Sequence, residues 1–291
     1  MRIIMLLAFT ALLISACSQE DSGSASEASL DAQADVAEDI NEVADLVVTD
    51  LASSLDAPIL ADTGSESCPA PSAEVVSFET DDGVLLEADL HTTGVAGSPA
   101  VVLLHMIPPG NDRSNYPVAF REQLNEAGFT VLNVDRRGAG GSQGVASEAY
   151  DGPNGKLDAA AAVTALAALD CAPDLSRLAI IGASNGTTTA LDYAVYASGE
   201  SDTPDPSALV FLTGGNYTEN QHTLSDVLDA VASTPILFVF PADESAWSQG
   251  YAGASPSWKH SEYEPSGHGT HLFDSAPESM TDVTQWLSST L

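Results

Sequence analysis

The segment LAIIGASNGTTTAL, Leu178 to Leu191, changes backbone habit within a few residues. Leu178–Ile181 is an apolar run without polar alternation, the pattern of a strand buried on both faces. Gly182, Ser184 and Gly186 follow in the spacing G-x-S-x-G, and a Thr/Ala-rich segment of helical character comes next. That spacing alone is a weak signal, because turns between strands and helices are rich in small residues. The context strengthens it: a buried strand before the serine and a helix straight after it are what a nucleophile elbow requires. Gly182 and Gly186 lack a Cβ, so strand and helix can approach around a strained turn that presents the hydroxyl. The first turn of the helix then aims its dipole and free N–H groups at the same point. Ser184 is the candidate nucleophile; a small residue filling a turn is the alternative.

Outward from this segment strands and helices alternate. AEVVSFET and VLLEADLHTT read as strands joined by a turn at Asp81-Asp82-Gly83, and AVVLLH (Ala100–His105) as a buried parallel strand. VAFREQLNEAG reads as a helix closed by Gly128, followed by the strand TVLNVD and an Ala-rich helix from Lys156 to Leu169. Beyond the helix Asn185–Ala197 come the strands ALVFLT and ILFVF, a last strand near WKHSEYE, and a closing helix from Pro277 to Ser289. The alternation predicts an α/β fold with a mostly parallel sheet covered by helices on both faces. It shows no repeat and no second domain, and the segment from Thr213 to Pro235 is too short for a lid domain.

A serine hydroxyl needs a base, and the base an orienting acid, here in the chain order Ser, acid, His. Of His91, His105, His222, His260, His268 and His271, only the last three follow the final strands closely enough. His260 falls inside a strand and His271 at the start of a helix. His268 lies in a Gly-flanked loop and is the expected base. His105 closes a buried strand and reads as structural. The acid should follow the ILFVF strand, where Asp243 and Glu244 are both placed to serve. The histidines are dispersed and no C-x-x-C spacing occurs, so no metal or other cofactor is expected.

With 8 Lys+Arg against 42 Asp+Glu, the 291-residue chain has a formal charge of −34. Such a surface repels nucleic acid and anionic membranes, and both are set aside as direct partners. The N-terminus pairs Arg2 with an apolar run from Ile3 to Ile14, too short for a membrane span, as an export signal would. Ile14-Ser15-Ala16-Cys17 resembles the lipobox of bacterial lipoproteins. That resemblance implies a signal peptide over residues 1–16, lipidation of Cys17 and, with Ser18 next, an outer-membrane anchor facing the periplasm. Residues 17–66 are rich in Ser, Ala, Asp and Glu and read as a solvated tether. Within them Val36, Ile40, Val43, Val47 and Leu51 keep the spacing of an acidic amphipathic helix. With Cys17 lipidated, Cys68 and Cys171 are left as a pair in an oxidising compartment, and a disulfide between them is expected, two free buried thiols being the alternative.

Taken together, VVLLHM, LNEAGFTVLNVDRRGAGGS, IIGASNG, PILFVFPADE and SGHGTHLF resemble bacterial α/β-hydrolase-fold enzymes of the dienelactone-hydrolase-like kind, in order and spacing, from about Ala73 onward. The resemblance implies that fold over residues 67–291 and a Ser–His–acid triad. It departs at Pro241, where many relatives carry glycine before the acid, and at Asn185, a less common residue after the nucleophile. It also implies an oxyanion site made by the backbone N–H of Asn185 and that of Met106 or Ile107. The expected substrate is a small ester or thioester. An acyltransferase on the same triad, or a non-catalytic binding lipoprotein, remains open.

Overall fold

The computed structural model describes residues 68–291 apart from Ser266. The expected signal peptide, the lipidation site Cys17 and the acidic tether with its helical spacing lie outside the described residues. Among the described residues eight strands form one sheet: β1 (Ser72–Glu79), β2 (Leu85–Thr92), β3 (Ala100–Leu104), β4 (Thr130–Val134), β5 (Leu178–Ala183), β6 (Ala208–Leu212), β7 (Ile236–Pro241) and β8 (Lys259–Tyr263). Their spatial order is β1-β2-β4-β3-β5-β6-β7-β8. The pairs β1–β2 and β2–β4 are antiparallel and all the others are parallel.

The continuous apolar runs explain the centre of this sheet. β3, β4, β5, β6 and β7 are buried along their whole length, so helices must cover both faces. Val102, Leu104, Ile180, Leu209 and Phe211 point to one core, and Val101, Leu103, Ile181, Val210 and Leu212 to the other. The first core is closed by α3 (Gly155–Ala167) and α4 (Asn185–Ala197), whose Ala159, Ala162 and Ala190 let the helices lie close to the sheet. The second is closed by α1 (Val118–Glu126), α7 (Leu272–Ser275) and α8 (Glu278–Thr290) through Phe120, Leu124, Phe273, Val283 and Leu287. The long helices fall within two residues of their sequence-based bounds. Four short helices, α2 (Ala146–Tyr150), α5 (Leu228–Val231), α6 (Ala246–Gln249) and α7, were not expected, because a single turn carries no periodicity to read. Between β6 and β7 the chain forms a loop, a 3₁₀ turn and the one-turn α5. Among the described residues no helix is long and apolar enough to cross a membrane.

Cys68 and Cys171 are bridged, with their Cα atoms 5.6 Å apart, as the cysteine count suggests. The bridge ties the segment before β1 to the turn after α3 and closes a loop spanning 103 positions. Loop-closure entropy for that length gives an upper bound of about 4–5 kcal/mol. Reduction, or Cys171→Ser, is therefore expected to lower stability by about 2–4 kcal/mol in chemical denaturation. Thiol titration of the denatured, non-reduced protein should find neither cysteine free; two free thiols per chain would reject the bridge.

Candidate active site

Gly182 is the last residue but one of β5 and Ser184 stands between that strand and α4, in the left-handed region at φ 50°, ψ −124°. A non-glycine residue there is strained and persists only where its surroundings hold it. The Ser184 N–H donates to the Leu212 carbonyl at 2.8 Å, and the Thr187 N–H and hydroxyl donate to the Ser184 carbonyl at 2.8 and 2.7 Å. The two flanking glycines are sterically obligatory. A Cβ on Gly182 would stand 2.3 Å from the Gly186 carbonyl oxygen, and one on Gly186 2.3 Å from that of Leu104.

The hydroxyl, an imidazole and a carboxylate stand in line. Ser184 Oγ donates to His268 Nε2 at 2.7 Å, and His268 Nδ1–H donates to Glu244 Oε2 at 2.6 Å. The direction follows from chemistry, because an ionised carboxylate can only accept, which leaves Nε2 free to take the serine proton. Glu244 closes the 3₁₀ turn Ala242–Glu244 after β7, and His268 lies in the loop after β8. Of the two acids left open by the sequence, Glu244 reaches the imidazole; Asp243 is exposed and makes no hydrogen bond to it. His260 is instead stacked on Phe238, ring centroids 4.6 Å apart, and His271 is exposed beside Asp274.

The base loop is held by a residue that sequence reading passed over. Thr213, at the end of β6, is buried at φ 52°, a costly conformation for a β-branched side chain. Its hydroxyl oxygen accepts from the Gly269 N–H at 3.0 Å, next to His268, and its carbonyl accepts from the Tyr217 hydroxyl. The Tyr217 ring stands edge-on to the imidazole, centroids 6.1 Å apart. Nothing in the local pattern marks Thr213, because its role comes from a loop fifty-odd residues away.

Opposite the base, the loop after β3 lies against the first turn of α4. The Asn185 N–H belongs to that first turn and has no intrahelical acceptor. The N–H groups of Met106 and Ile107 make no hydrogen bond to the described residues. His105 fixes this loop. The Arg136 backbone N–H donates to its Nε2 at 2.9 Å, so Nδ1 carries the proton and donates to the Met106 carbonyl at 2.7 Å. Burial, with Arg136 adding to it, pushes the imidazole down to about 3, which keeps it neutral. Among the described residues no group of three or more His, Cys, Asp and Glu side chains is arranged to hold a metal ion.

Neither a protein-family model nor a curated protein sequence matches the chain. Solved structures do. An esterase of Pyrococcus furiosus is similar at 17% identity and TM-score 0.55, over 76% of this chain and 92% of that one. An α/β hydrolase of a Penicillium species reaches TM-score 0.61 at 15% identity, over 75% of this chain and 98% of its own. A dienelactone hydrolase of Anabaena variabilis gives 0.53 at 17%, over 76% and 97%. With the sheet order described above, these likenesses establish the α/β-hydrolase fold.

Proposed function

We propose that this α/β-hydrolase fold carries a serine hydrolase that cleaves small ester or thioester substrates through an acyl-enzyme on Ser184. One observation carries the reading: an unbroken chain of short hydrogen bonds from Glu244 through His268 to a serine on a strained elbow. In the first step Ser184 Oγ attacks the carbonyl carbon while His268 Nε2 takes its proton, and Glu244 holds the imidazole and the charge it gains. The carbonyl oxygen becomes an oxyanion that accepts from the Asn185 N–H and from that of Met106 or Ile107. The tetrahedral intermediate collapses, His268 protonates the departing alcohol or thiol, and the acyl group stays on Ser184. A water, deprotonated in turn by His268, releases the acid. The disulfide fits an oxidising compartment and supports export; a lipid anchor at Cys17 rests on the lipobox-like Ile14–Cys17 alone.

His268 and Glu244 keep 37% and 39% of their side chains exposed, and a loop, a 3₁₀ turn and α5 intervene between β6 and β7. A long acyl chain would find little apolar surface there, so each further CH₂ gains far less than the ~0.8 kcal/mol of full burial. The acidic surface lowers the local concentration of anionic substrates, an effect that fades with salt. In a p-nitrophenyl ester series the protein is expected to hydrolyse acetate and butyrate, with kcat/KM flat or falling beyond about eight carbons. Absence of turnover across the series would reject the hydrolase reading; a continued rise with chain length would reject the small-substrate reading.

A further inference from the structure

Arg136 is fully buried and, unlike Arg113, Arg121, Arg137 and Arg177, forms no ion pair among the described residues. A guanidinium removed from water without a carboxylate is costly to keep, so where its donors go is informative. Nη1 donates to the carbonyls of His105 at 3.2 Å and Met106 at 3.3 Å. Nη2 donates to the Asn185 Oδ1 at 3.0 Å, the Thr189 Oγ1 at 2.6 Å and the Ala149 carbonyl at 2.9 Å. Its Nε has no partner among the described residues. Every one of these acceptors is uncharged, and four of the five belong to the loop after β3 or to the first turns of α4.

The geometry points to Arg136 as the positioning residue of the oxyanion site. A trans peptide is planar, with its N–H opposite its carbonyl. Neither the His105–Met106 nor the Met106–Ile107 peptide is cis. Drawing the His105 and Met106 carbonyls toward Arg136 therefore turns the N–H groups of Met106 and Ile107 away from it. The other fork of the same planar group grips the side chain of Asn185, the residue whose N–H supplies the second donor. One rigid guanidinium thus fixes both halves of the site relative to each other, which the single ammonium of lysine cannot do. Burial pulls the guanidinium down only to about 10, so it stays cationic at neutral pH, behind the place where negative charge develops.

The inference rests on the serine-hydrolase reading, and its test separates the two. The wild-type protein and Arg136→Lys are compared by kcat and KM on p-nitrophenyl butyrate. They are also compared by affinity for a butyl trifluoromethyl ketone, whose serine adduct puts an oxyanion into the site. Arg136→Lys is expected to lower kcat by about 10- to 100-fold, less than or near the loss of one oxyanion donor, with KM within about threefold. Ketone affinity should fall in proportion to kcat/KM, a readout that a merely structural defect does not move once active sites are titrated. A folded Arg136→Lys with unchanged kcat and ketone affinity overturns the inference and leaves the hydrolase reading intact. A wild-type protein that neither turns over the ester nor binds the ketone overturns the reading itself. If Arg136→Lys does not fold, Thr189→Val removes the nearest Nη2 acceptor, which also accepts from Gln221 Nε2 at 3.4 Å. It should lower kcat by about three- to fivefold at constant KM, a smaller share of the same donor effect; no change in kcat overturns the inference.

Discussion

Ser184→Ala is expected to lower kcat on short p-nitrophenyl esters by about 10⁶-fold, the scale seen when a triad serine is removed elsewhere. The same change should abolish labelling by a fluorophosphonate probe. Among the described residues the hydroxyl bonds to His268 and belongs to neither hydrophobic core, so the fold has little to lose. Alanine is as strained at φ 50° as serine, and the bonds from the Ser184 N–H and to its carbonyl involve backbone atoms that alanine keeps. The melting temperature should therefore stay close to that of the wild type. A folded variant retaining more than about one hundredth of the turnover would remove Ser184 from the mechanism.

The second large effect separates two adjacent carboxylates. Glu244→Gln is expected to cost on the order of 10³ to 10⁴ in kcat, because the amide cannot hold the imidazole in its working tautomer or balance its charge. Asp243→Asn should change kcat less than about threefold, in line with a surface substitution away from any contact. Parallel kinetics on the two variants and the wild type decide the matter. Equal, small effects would mean that His268 is oriented by something other than the bond at 2.6 Å.

The contrast between these residues shows where sequence reading stops. The elbow was legible because its requirements are local: an apolar strand, two glycines and a helix start, all within residues 178–191. The cysteine pairing was legible by counting. The acid was not, because Asp243 and Glu244 lie on one 3₁₀ turn, where successive side chains point about a third of a turn apart. Which of the two reaches the imidazole depends on where that turn sits against the His268 loop, 24 residues on, which local pattern does not give. Arg136 and Thr213 were missed for a related reason. An arginine in an Asp-Arg-Arg-Gly stretch reads as a solvated loop residue, and a threonine ending a strand reads as ordinary; only the assembled loops give either one its work.

The strands that build the site lie side by side in the order in which they are made: β5, β6, β7, β8. The elbow is complete once β6 has joined, since the Ser184 N–H bonds to Leu212. Glu244 arrives after β7, and His268 only after β8 has laid Tyr263 against Pro241 at the edge of the sheet. Synthesis delivers the chain N-terminus first. If the proposed mechanism holds, a nascent chain, or one clipped before its last strand, lacks the imidazole beside Ser184, and its chemistry should stay silent until the final piece docks.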